Sequence, residues 1–174
     1  MRTIGVHRRG FTLIEMLVVV LIVGILASAA VPLAELNSRR AKEAELRAGL
    51  RTLRGALDAY RTDCLKQQIK CEGDLLTGKA SGYPPSLEVL VSGVEDAGAG
   101  SAGGGASAGS AKKRYYLRRL PRDPFADTRV TAAQTWGLRS YDSPPEAPAP
   151  GKDVFDVYSL SEGRGLDGSL YREW

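Results

Sequence analysis

The stretch R-R-G-F-T-L-I-E-M-L-V-V-V-L-I-V-G-I-L-A-S-A-A-V-P, from Arg8 to Pro32, decides how the rest of the chain is read. Its apolar run, Phe11 to Val31, is interrupted only by Thr12, Glu15, Gly24 and Ser28. As a helix rising about 1.5 Å per residue it covers roughly 30 Å, the hydrocarbon thickness of a bilayer. Basic residues precede the run, which by the positive-inside rule places the N-terminus in the cytoplasm and everything after Pro32 beyond the membrane. A cleaved secretory signal shares the basic start and apolar core, and Ala27–Ala30 looks like its cleavage site. Two features argue against it. The run exceeds the core of about 7–15 residues usual in such signals, and it contains a charge.

That charge, Glu15, needs a reason, as does Gly10 just ahead of the run. A carboxylate at the bilayer centre costs about 2.5–3.5 kcal/mol on insertion scales. In the first helical turns, near the headgroups and the positive end of the helix dipole, the cost falls. Position alone still gives the charge no role. Cleavage between Gly10 and Phe11 would create an α-amino group, and Glu15 lies about one turn deeper, within reach of a neighbouring subunit's amine. One event explains both residues.

The segment "RRGFTLIEMLVVVLIVGIL" resembles the type III signal of type IV prepilins and type II secretion pseudoprepilins. The resemblance implies that a prepilin peptidase cuts after Gly10 and N-methylates Phe11. It implies too that Glu15 pairs with a neighbour's Phe11 amine during assembly, and that Gly24 and Pro32 loosen the helix. Glycine costs about 1 kcal/mol and proline about 3 kcal/mol in a helix interior. Pro32 also removes the hydrogen bond to the Ser28 carbonyl; a simple kink at the membrane edge is the alternative reading. The chain then divides into a leader (1–10), a transmembrane and filament-core helix (11–32) and a periplasmic domain (33–174).

The remaining composition narrows the function. With 174 residues there is room for one domain and an anchor. The formal net charge is +4, but Arg2, Arg8 and Arg9 all fall in the leader, so the rest is nearly neutral and carries no nucleic-acid footprint. The one histidine, His7, is also in the leader. With two cysteines besides, the chain lacks a zinc cluster. The carboxylates are scattered, no catalytic constellation stands out, and no enzymatic activity is expected.

Beyond Pro32, Leu46, Leu50, Leu53, Leu57 and Tyr60 repeat at helical spacing, while Arg39, Arg40, Lys42, Glu43, Glu45, Arg47, Arg51 and Arg54 occupy other faces. This predicts an amphipathic helix over about 33–62 with its leucine stripe in a core. Cys64 and Cys71, in an oxidising compartment, suggest a disulfide worth about 3 kcal/mol or somewhat less; two free thiols are the alternative. "GYPPSLEVLV" (82–91) reads as a turn and a short helix with Ser86 as N-cap. From Ala97 to Ala111 every residue is Gly, Ala or Ser, which predicts a flexible loop over about 95–112. The basic "KKRYYLRRLPR" (112–122) reads as a solvated face with Tyr115, Tyr116 and Leu117 turned inward; nucleic-acid binding by this patch is the weaker alternative, and nucleic acid is not an expected partner. A β-sheet is expected over about 135–174, from strands at Trp136–Tyr141, Val154–Tyr158 and Ser169–Trp174, with the Pro-rich "SPPEAPAPGKD" between the first two.

"GYPPSLEVLV", "YYLRRLPRDPF" and "DVFDVYSLSEGRGLDG" occur in the order seen in the type II secretion major pseudopilin (general secretion pathway protein G) family, which the chain resembles over nearly its whole length. The resemblance implies an α+β, type IV pilin-like fold: a long helix, its first half transmembrane, against a small three-stranded antiparallel sheet. It implies a filament subunit of a secretion pseudopilus that helps export folded proteins. The subunit would be anchored in the inner membrane before assembly and lie in a periplasmic filament afterwards. Expected partners are further copies, other pseudopilins, the prepilin peptidase, the inner-membrane assembly platform and lipid. A type IV pilus subunit for adhesion, motility or DNA uptake is the alternative. The family's acidic loop holds a structural calcium, for which the candidates are Glu162, Asp167 and the carbonyls of Leu160 and Leu166. Calcium takes about 6–8 oxygens. This loop departs from the pattern: it is shorter, contains Arg164 and lacks a third acid, so solvated turn residues are the other reading.

Overall fold

The computed structural model describes residues 10–71, 80–97 and 112–174. Most of the leader (1–9) and of the Gly/Ala/Ser stretch (98–111) lies outside them. The chain divides into two units, Met1–Ala41 and Lys42–Trp174. Helix α1, Leu13–Leu65, is the first element and continues through positions 24 and 32. In the first unit its described side chains are exposed, those from Leu13 to Leu26 among them, as is Phe11 just before it. Among the described residues one helix is thus long and apolar enough to cross a membrane, by length and composition.

The second unit is built on the leucine stripe. Leu46, Leu50, Leu53, Leu57 and Tyr60 are all buried, and they share one core with Leu87, Leu90, Trp136, Val154, Val157 and Tyr171. Each fully buried side chain of this size contributes about 1.5–3 kcal/mol. The helix ends in a Schellman cap. The Gln68 amide donates to the Asp63 carbonyl (2.9 Å) and the Gln67 amide to that of Cys64 (2.9 Å), with Gln67 at φ 55°. A Cys64–Cys71 disulfide spans this cap, as the pairing of the only two cysteines suggested. The helix thus runs one turn past the expected end at residue 62, because the cap needs no glycine signal.

The α+β class is as expected, but the sheet differs. Among the described residues there are two two-stranded antiparallel pairs rather than three strands in one sheet. Strands β1 (Val94–Glu95) and β2 (Lys113–Arg114) flank the Gly/Ala/Ser stretch as the two sides of a hairpin. They are too short to show alternation. Strands β3 (Trp136–Arg139) and β4 (Asp156–Ser159) pair in the register Trp136↔Ser159 to Arg139↔Asp156. Gly137 lies opposite Tyr158, whose ring occupies the space a Cβ would need. The expected third strand is instead a 3-10 turn, Tyr171–Glu173. Its amides bond three residues back, Glu173 to Leu170 and Trp174 to Tyr171, and only the single bridge Arg164↔Leu170 pairs across. Stacking of Tyr171 on Phe125 at 4.3 Å turns the chain inward there.

Two smaller expectations also change. Helix α2 is one turn, Val89–Ser92, with Glu88 rather than Ser86 at its N-cap. Burial of Leu87 takes up the preceding turn. Tyr115 is exposed, lying over Gly93, while Tyr116 and Leu117 pack against the core.

The base of the β1–β2 hairpin is closed by charge. Arg114 meets Asp63 at 2.8 Å, Asp96 at 3.5 Å and the Gln68 amide oxygen at 2.9 Å, and the Tyr116 hydroxyl donates to Asp63 at 2.9 Å. Burial alone would raise the Asp63 pKa, but hydrogen bonds from Arg114 and Tyr116, with the charges of Arg114 and Lys66, hold it below the ordinary value. Burial, then the same carboxylate, pushes the Tyr116 phenol up. A depressed carboxyl contributes stability that is fully present above its unfolded pKa of about 3.9 and lost as pH falls through the folded value. Thermal melts from pH 7 downward are therefore expected to show Asp63→Asn less stable than the native chain at neutrality, with the two converging in acid. A constant gap across that range would contradict the assignment.

Candidate assembly site and C-terminal loop

The first candidate site lies at the start of α1. Thr12 precedes the helix and Glu15 is its third residue. The Glu15 amide donates to the Thr12 hydroxyl (3.2 Å), and the Thr12 amide donates to the Glu15 carboxylate (3.4 Å). This reciprocal pair is a capping box, the T-x-x-E pattern that satisfies two otherwise orphaned amides. Sequence reading singled out Glu15 but missed Thr12, although the spacing was there to be seen. In the single chain, then, Glu15 already has a local role, and its carboxylate is held at the helix entrance. Phe11 and Gly10 are exposed beside it. Further along, the Ser28 hydroxyl donates to the Ile25 carbonyl at 2.7 Å, which keeps that polar group satisfied within the apolar run.

The second candidate site, in the other unit, is the loop after β4. Its entry is fixed from below. Asp123, in the Leu120–Pro124 turn, is buried and accepts hydrogen bonds from the Ser159 hydroxyl and the Phe125 amide (2.7 Å). Ser159 in turn accepts from the Ser161 amide at 3.1 Å. The turn and the β4 sequence "DVYS", far apart in the chain, thus form one buried unit.

The loop itself docks on three α1 side chains that sequence reading assigned to solvated faces. Buried Glu43 accepts from the Leu166 amide (2.9 Å) and the Tyr171 hydroxyl (3.0 Å). Arg47 reaches Asp167 at 3.2 Å and lies 4.0 Å from the centre of the Trp174 ring. Arg54 donates to Asp156 (2.8 Å), the Val157 carbonyl (3.1 Å) and a Trp174 oxygen (2.7 Å). Their spacing of four and seven puts all three on one helix face, which is the signal that could have found them.

The calcium candidates can be tested against this arrangement. Asp167 is in the loop, but one oxygen accepts from the Ser169 amide (3.0 Å) and hydroxyl (2.6 Å) while the other meets Arg47. Those contacts, the Ser169 hydroxyl foremost, hold the Asp167 pKa below its ordinary value. Glu162, Leu160 and Leu166 are exposed. Loop carbonyls are used internally: Gly163 by the Tyr171 amide, Gly165 by that of Gly168, Ser169 by that of Gly165, and Gly168 by the Arg164 guanidinium. Among the described residues no group of three or more His, Cys, Asp or Glu is placed to hold a metal. The donor set does not fit an ion that takes about 6–8 oxygens.

The basic stretch 112–122 is partly structural as well. Arg114 closes the hairpin, and Arg122 donates to the carbonyls of Val130 (2.7 Å) and Asp127 (2.8 Å).

Comparison with known proteins agrees with both ends of the chain. The model of the prokaryotic N-terminal methylation motif matches residues 6–31. Over 93% of its length the chain is 32% identical to the type II secretion system core protein G of Pseudomonas aeruginosa, covering 86% of that protein. It is 33% identical to the core protein G of Klebsiella pneumoniae over 68% of this chain and 70% of that one. The Escherichia coli core protein G is 31% identical over 71% of this chain and 70% of that protein. No solved structure matches it.

Proposed function

We infer how this chain works from the family to which it belongs, the core protein G pseudopilins of type II secretion. It is a structural filament subunit and not an enzyme. The observation that carries the reading is the methylation motif over residues 6–31 joined to core protein G similarity across almost the whole chain.

Residues 1–10 are a leader removed by prepilin peptidase, and Phe11 becomes the N-methylated first residue. The helix over 11–32 anchors the subunit in the inner membrane, with the N-terminus cytoplasmic and the domain over 33–174 periplasmic. On an assembly platform, copies of the chain and other pseudopilins leave the lipid and build a helical filament that helps export folded proteins. Glu15 draws in the new amine of a neighbouring Phe11, since a charged group in apolar surroundings is stabilised by pairing with an opposite charge. The capping box supports this role, because it aims the carboxylate toward the helix entrance where that amine arrives. Gly24 and Pro32 mark where the helix gives way when lipid is exchanged for protein neighbours.

The test is a clean deletion strain, with its complemented control, read by quantitative proteomics of the culture supernatant. A defined set of exported proteins is expected to disappear and to return on complementation. An unchanged supernatant would overturn the reading and turn attention to attachment, twitching and DNA uptake.

A further inference from the structure

Of the two acids in the loop after β4, Asp167 is met by a cation from α1. Arg47 stands between Asp167 and the Trp174 ring, at 3.2 and 4.0 Å. Trp174 is oriented independently, because its indole N–H donates to the Ser169 hydroxyl at 2.6 Å, and that hydroxyl donates to Asp167. The guanidinium, the carboxylate, the hydroxyl and the indole therefore form one closed circuit. A Cβ at Gly165 would come within 2.6 Å of the Asp167 carboxylate and 2.5 Å of the Trp174 ring, so the circuit is packed as well as hydrogen-bonded. One turn earlier on α1, Glu43 fixes Leu166 and Tyr171 from the buried side. A divalent ion at Asp167 would have to displace Ser169 and sit beside a resident positive charge.

We propose that Arg47 is the loop-closing cation of this chain, so that its guanidinium does within the molecule what a bound calcium does elsewhere in the family, and the loop takes up no calcium. An exposed ion pair alone contributes little. The effect arises from the guanidinium's position over the Trp174 ring, which adds a cation–π attraction and holds the fork in place.

The experiment uses the full chain in detergent, with calcium chloride alone as the probe. Thermal melts are recorded in millimolar calcium and in excess chelator, and calcium uptake is measured by equilibrium dialysis. The native chain is expected to melt identically in both and to retain no stoichiometric calcium. Arg47→Met is expected to melt lower by roughly 2–4 °C in both solutions, with Trp174 more open to acrylamide quenching against buried Trp136. Should that variant not accumulate, Arg47→Lys keeps the charge without the fork or the stack and is expected to show a smaller loss of the same kind. Stabilisation of the native chain by calcium, stoichiometric uptake, or variants whose melting and quenching match the native chain would each overturn the proposal.

Discussion

Replacing Glu15 with alanine is expected to abolish filament growth while leaving cleavage after Gly10 intact. On the proposed reading the two outcomes separate because the peptidase acts on the segment around Gly10, whereas the carboxylate, beyond its place in the capping box, acts when another subunit arrives. With alanine at position 15, each incoming Phe11 amine enters an apolar filament core without its counter-charge. Leaving one partner of a buried ion pair alone costs about 3–5 kcal/mol, and each 1.4 kcal/mol is about tenfold in an equilibrium constant. Addition of every subunit is thus weakened by two orders of magnitude or more, and the loss compounds along a polymer. Loss of the capping box costs far less, about 0.5–2 kcal/mol. Thr12→Ala removes the hydroxyl of the box but keeps the carboxylate, so it isolates that smaller effect. Mass spectrometry of the N-terminus reports processing, and electron microscopy of overproduced filaments reports assembly. Normal filaments from Glu15→Ala would refute the pairing.

The second large effect is expected at Asp123. Alanine there leaves the Ser159 hydroxyl and the Phe125 amide without their acceptor inside the fold. Each buried orphan costs about 1–3 kcal/mol. At roughly 2–4 °C per kcal/mol for a chain of this size, the melting temperature should fall by about 5–15 °C. Asn keeps one acceptor oxygen and should fall between the two. Removing Ser159 as well should add less than its single effect, because the orphan it leaves is then gone. A shift under about 2 °C for Asp123→Ala would show that the turn is not held from β4. In cells a loss of this size lowers abundance, so a secretion defect at Asp123, unlike one at Glu15, is expected to track the amount of subunit.

The helix and its buried stripe could be read from the sequence because their signal is periodic and local. Leu46 through Tyr60 repeat at helical spacing whatever lies against them. The motif around Gly10 and Glu15 is similarly contained within a few residues. What escaped depends on distant partners. Glu43, Arg47 and Arg54 look like ordinary solvated charges until the segment more than 100 residues away is laid on them. The strand expected at Ser169–Trp174 failed for the same reason. Its composition permits extension, but Phe125 and Glu43 offer Tyr171 better contacts than a neighbouring strand could. Strands of two residues, such as β1 and β2, are below the length at which alternation can be recognised.

The distance in sequence between Glu43 and Tyr171 has a consequence for how the molecule is made. A chain is synthesised from its N-terminus, and contacts of long sequence separation form late. The leucine stripe of α1 is complete early, yet the face that Tyr171 and Trp174 cover stays open until those residues have emerged. For most of its synthesis the nascent subunit therefore carries Glu43, Arg47 and Arg54 without the segment that later covers them. A chain cut short in its last tenth would keep the finished helix and lack the Tyr171 and Trp174 contacts that complete the core.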